Sequence, residues 1–103
     1  MASRVEQITE LLTKDPDDVF LHYSLGMEYV SAKNFDKAVE SFVRCCELDG
    51  SYLPAMVEMG KALRSAGKFS EARAVFDKAL HAAKAAGQQH VIDNVQMQLD
   101  GLG

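Results

Sequence analysis

Aligned with itself at an offset of 34 residues, the chain superposes small on small and aromatic on aromatic. Gly26 falls on Gly60, Phe35 on Phe69, Ala38 on Ala72 and Phe42 on Phe76. Leu25 falls on Met59, Tyr29 on Leu63, Arg44 on Lys78 and Cys45 on Ala79. A fixed period of this length signals supersecondary units that stack, each burying its apolar face against the next. Such stacks present surfaces and seldom carry chemistry, so this one feature constrains both architecture and function class.

Local signals divide the chain into six helical stretches with short turns. Ser3, with Glu6 three residues on, reads as a capping box for a first helix whose Val5, Ile8, Leu11 and Leu12 share a face. Asp15-Pro16 stops it, and Asp17 or Asp18 caps a second helix over about 18–32. A third is expected over about 35–48 after the turn at Asn34-Phe35-Asp36. Asp49-Gly50-Ser51 reads as a stop with Ser51 as the next N-cap, and Pro54 sits in the first turn of the fourth helix. That helix ends at Ala66-Gly67. Ser70 and its neighbours start the fifth, with Phe69 stapling it from outside, and the sixth follows Gly87 to about 100. Turns this short join antiparallel neighbours.

These residues resemble a tetratricopeptide repeat over nearly the whole chain. Leu25, Gly26, Tyr29, Ala38, Phe42 and Cys45 match in the first full repeat; Met59, Gly60, Leu63, Ala72, Phe76 and Ala79 match in the second. His22 and Met56 stand where a tryptophan is frequent, and Gly50 and Lys84 where a proline is. The resemblance implies an all-α helical solenoid of about six antiparallel helices forming one domain over 1–103. It comprises an N-terminal half repeat at 3–16, full repeats at 19–52 and 53–86, and a polar capping helix at 87–101. Two full and two half repeats meet the roughly three units an array needs, so the unit is expected to be self-sufficient.

The family binds proteins, holding peptides in the groove lined by the first helix of each pair. Here that groove would be lined by Phe20, Tyr23, Met27 and Val30, by Val57, Glu58, Lys61 and Arg64, with Ser24 beside them. Gln88, Val91, Ile92 and Val95 would follow from the last helix. Helical spacing singles out Phe20, Tyr23, Met27 and Val30 independently, as a stripe distinct from Leu21, Leu25 and Tyr29. The same stripe could instead be buried against neighbouring helices or against another copy, making the chain a structural subunit or a homo-oligomer. Glu58 and Lys61 are spaced for a local ion pair. Repeats of this family that clamp chaperone C-terminal carboxylates use lysine, asparagine and arginine where this chain has Tyr23, Met27, Glu58, Gln88 and Ile92. A carboxylate-clamp chaperone tail is therefore not expected as a partner.

The 103 residues carry a net charge of -4, which weighs against a nucleic-acid footprint. Residues 1–50 hold 5 Lys/Arg and 10 Asp/Glu, whereas residues 51–103 hold 6 and 5. No apolar run reaches the roughly 18 residues of a membrane span, and no secretory signal is visible at the N-terminus. Cys45 and Cys46 are adjacent, a geometry unsuited to a disulfide if both lie on one helix. They read as small core residues of a cytoplasmic protein. His22, His81 and His90 are dispersed and converge on no metal site. Gly60-Lys61 lies mid-helix without the glycines of a phosphate loop. Asp17-Asp18 is a helix-start pair that suits the dipole. No catalytic set, cofactor or metal is expected.

Overall fold

The computed structural model describes residues 2–102. Among these the chain forms six helices and no strand: α1 (Arg4–Lys14), α2 (Val19–Ser31), α3 (Phe35–Leu48), α4 (Leu53–Ser65), α5 (Phe69–Ala86) and α6 (Gln89–Gly101). Each helix contacts its chain neighbour, and α4 also touches α6. The stack is a slab of 42 × 28 × 19 Å. Its elongation follows from units that meet only their neighbours.

The starts of the first three helices follow from their own side chains. Ser3, Asp18 and Asn34 each accept a bond from a backbone N–H three residues on, satisfying one of the unpaired donors of a helix start. Two expected starts are corrected. Ser51 does not cap α4; Tyr52 occupies that place without a side-chain cap. The Asp49 carboxylate instead accepts both the N–H and the hydroxyl of Ser51, closing a local turn before the helix begins. Phe69 is not an external staple but the first residue of α5, because the Lys68 carbonyl already accepts from Ala72 N–H. Ser70 therefore sits inside the first turn.

The repeat signature is a contact between two helices. Phe42 and Phe76 are fully buried. Each ring lies against the glycine of its own pair. A Cβ built on Gly26 would sit 2.5 Å from Phe42 Cε1, and one on Gly60 would meet the Phe76 ring in the same way. Only a residue without a side chain admits the ring at that approach. Ala38, Cys45, Ala55 and Ala62 surround Phe42, whereas Ala72, Ala79, Val95 and Leu99 surround Phe76. Ala55 and Ala62 belong to α4 and Val95 and Leu99 to α6, so each ring also fills the space toward the following helix. The core is thus two linked clusters, one per ring.

Candidate functional site

On the face lined by α2, α4 and α6, three adjoining depressions occur among the described residues. The first, about 270 Å³, lies between α2 and α4 and is formed by Met27, Val30 and Phe35 on one side and Glu58, Lys61, Ala62 and Ser65 on the other. A second, about 200 Å³, adjoins it toward the starts of these helices, with Tyr23, Pro54, Val57 and Glu58 facing His90, Val91 and Asn94 of α6. The third, about 230 Å³, lies between α4 and α6 and is formed by Lys61, Arg64, Ser65 and Gln98. Glu58 borders the first two; Lys61 and Ser65 border the first and third.

The 34-residue period explains why these side chains converge. Tyr23, Val57 and Val91 are one period apart, as are Val30, Arg64 and Gln98. Successive repeats present the same helix face, so equivalent positions fall in register along the groove. Arg64 Nη1 donates to Gln98 Oε1 at 2.6 Å across one full period. Lys61 Nζ lies 3.3 Å from Glu58 Oε1, forming the expected ion pair on the ridge between depressions. It joins an exposed ammonium to a mostly covered carboxylate and contributes about 0.2–0.5 kcal/mol.

The structure sorts the stripe on α2 into three kinds of residue. Met27 and Val30 are half-buried and line the first depression. Tyr23 lines the second, but its ring also packs on Phe42 (centroids 5.8 Å apart) and Tyr52 (5.6 Å, edge-on). Burial raises the Tyr23 phenol above its ordinary pKa, and the nearby Glu58 charge adds to the effect. Phe20 is 64% exposed and borders none of the three depressions. On α4, Val57 is only 7% exposed and belongs as much to the Phe76 cluster as to the groove. Val95 is fully buried, a core residue with no groove surface. Sequence reading did not place Pro54, His90, Asn94, Gln98 or Ser65 in the groove. The offset itself held the signal for Pro54 and Gln98, which stand one period from Phe20 and Arg64.

Two other groups expected from the sequence are placed. Cys45 is fully buried, its thiol donating to Val19 O at 3.5 Å, and Cys46 is half-buried. Burial, with Cys46 adjacent, pushes the Cys45 thiol up to about 11; burial and the Asp49 charge raise Cys46 as well. Both are therefore held as thiols at neutral pH, the opposite of a reactive-cysteine environment. His22 Nε2 lies 2.8 Å from Pro16 O and ties the start of α2 to the preceding turn. No helix among the described residues is long and apolar enough to cross a membrane.

Known sequences and structures share this repeat fold. The tetratricopeptide repeat profile matches residues 21–52 and 53–85. The chain belongs to the tetratricopeptide repeat family. It is 31% identical over 85 residues to TPR repeat-containing protein PA0015 of Pseudomonas aeruginosa, covering 82% of this chain and 81% of that protein. The solution structure of protein BPP2914 from Bordetella parapertussis superposes with a TM-score of 0.87 at 28% identity, over 99% of this chain and 89% of that one. A tetratricopeptide repeat domain protein from Salinibacter ruber superposes with a TM-score of 0.77 at 22% identity, over 84% and 88% of the two chains, and supports the fold alone. The family's repeats commonly mediate protein–protein interaction and are generally non-catalytic scaffolds.

Proposed function

We propose that this chain is a protein-binding module that holds a peptide or helix of a partner in the groove of α2, α4 and α6, and that it is not an enzyme. The observation carrying this reading is the run of three adjoining depressions bordered by Tyr23, Met27, Val30, Val57, Glu58, Lys61 and Arg64. Concave, partly apolar surfaces with a few polar groups are suited to recognising segments of other proteins. The units supporting the groove are a half repeat at 3–16, repeats at 19–52 and 53–86, and a capping helix at 87–101. The ligand is protein and not nucleic acid or lipid, in keeping with the net charge of -4. The uncrosslinked Cys45 and Cys46 suit a reducing, cytoplasmic setting.

Affinity capture from native lysate tests the reading, with Val30→Glu and Lys61→Glu as controls. Tyr23 is a poor control because its ring is part of the core around Phe42. A partner retained by the folded wild type and lost by both folded variants supports the groove; equal retention by all three overturns it. A second reading, a self-associating module, draws on Phe20, which the stripe predicts as buried or bound and the structure leaves exposed. A dimer in light scattering that Phe20→Glu converts to monomer would favour that reading.

A further inference from the structure

The first and third depressions are related by the repeat step, yet they differ in chemistry. Met27 and Val30 give the α2–α4 depression an apolar wall, completed by Phe35 and Ala62. One period on, Lys61 and Arg64 replace Met27 and Val30, so the α4–α6 depression has two cations on its wall. Its other bordering residues, Ser65 and Gln98, carry a hydroxyl and an amide and no negative charge. The contact shown for Arg64 is to the neutral Gln98 amide, which leaves its charge uncompensated there. Glu58 draws Lys61 toward the apolar side at 3.3 Å, so Arg64 is the stronger anchor for an anion.

From this contrast, and resting on the groove reading above, we infer that the ligand is an extended protein segment with a large apolar side chain and an internal Glu or Asp three residues apart. The apolar side chain fills the α2–α4 depression. The carboxylate lies against Arg64, with Lys61 and Ser65 beside it. The spacing follows from geometry. The two depressions flank α4, so they are separated by about one interhelical distance, roughly 8–10 Å. An extended chain in the polyproline II conformation covers that in about three residues at about 3.1 Å each, and its three residues per turn bring both side chains to the same face. Charge complementarity selects the acid, because an apolar or basic group over Arg64 would lose or oppose the guanidinium's interactions.

Fluorescence anisotropy with labelled, end-blocked nine-residue Gly/Ser peptides tests this. Peptides carry Leu and Glu three apart, in both orders. At least one order should bind the wild type at micromolar to low millimolar concentration. Replacing the peptide Glu by Gln should weaken binding about fivefold, as expected for a partly exposed ion pair, and replacing Leu by Ser about tenfold or more. Moving Leu and Glu next to each other should weaken binding to the level of the single replacements. Arg64→Glu should reverse the preference, so that the matching Leu/Lys peptide binds better than Leu/Glu. Affinity should fall as salt is raised.

The inference is overturned if Glu→Gln and Arg64→Glu leave affinity unchanged, or if spacing has no effect. It is also overturned if a free C-terminal carboxylate, compared with the amidated peptide, is what binding requires. Absence of binding by either order to folded wild type overturns it too. None of these results touches the groove reading, which stands or falls on partner capture and its loss in Val30→Glu.

Discussion

The two full repeats share their central contact and differ at their edges. In both, a glycine of the first helix meets a buried phenyl ring of the second, with alanine one turn before the ring. At the edges the solutions diverge. Asp18 and Asn34 cap the helices of the first repeat with side-chain bonds, whereas Tyr52 and Lys68, one period on, make none. Tyr52 packs edge-on against Tyr23 instead, and Lys68 reaches Asp36 of the previous repeat at 3.4 Å. The turn between helices has identical bonds in both: Asn34 N–H to Tyr29 O, and Lys68 N–H to Leu63 O. Yet its left-handed residue is Lys33 (φ 59°) in one and Gly67 (φ 79°) in the other. What a helix pair requires of its core is a fixed volume, and few residues supply it. What it requires at its ends is a satisfied backbone, which several side chains or a neighbouring repeat can supply.

The largest expected effects break the shared contact. Phe42→Ala and Phe76→Ala should each cost about 3–5 kcal/mol in urea unfolding, since each empties the centre of a cluster. A cost under about 1 kcal/mol at either ring would show that the two clusters are not equivalent. Next come Gly26→Ala and Gly60→Ala, each adding a methyl where a rigid ring already sits. We expect a loss of about 1–3 kcal/mol at both sites, with part of it recovered when the facing phenylalanine is changed to leucine.

A pH effect separates the repeats, because Cys45 has Ala79 as its counterpart. The thiol's pKa is raised from 9.0 to about 11 in the fold. The folded state therefore favours the protonated form: its contribution is complete below about pH 9 and is lost as pH rises through about 11. Far-UV circular dichroism against pH should show the first repeat weakening in that window, and Cys45→Ala should flatten the loss. The Cys46 thiol and the phenols of Tyr23 and Tyr52, all also raised by burial, leave a residual decline in the variant. The smallest effect sharpens the comparison at the turns. Lys33→Gly should stabilise by about 0.5–1 kcal/mol by relieving a left-handed conformation, and Gly67→Ala should destabilise by about 1 kcal/mol, in thermal melts.

Much of this was readable before any coordinates. The capping aspartate, the asparagine turn, Pro54 in a first turn and Gly87 past a helix end are local signals, and the helices form where those signals stand. Ser51 and Phe69 misled because each carries a feature of a helix start without occupying the capping place. At Ser51 a neighbouring carboxylate captured the serine; at Phe69 the helix began one residue earlier than side-chain chemistry suggested. The groove was legible as a helix face but not as a surface. Phe20, Tyr23, Met27 and Val30 share one stripe, yet they end as an exposed ring, a half-core ring and two lining residues.

By itself, the sequence determined the period, the helix boundaries to within a residue or two, and which glycines and phenylalanines recur in each repeat. These depend on backbone bonds and on volumes repeated every 34 residues. Tertiary structure alone decided which members of each stripe remain open. It also divided the groove into an apolar part beside Met27 and Val30 and a cationic part beside Arg64. Periodicity fixes the direction of a side chain around its own helix axis, but exposure depends on how far away the next helix lies.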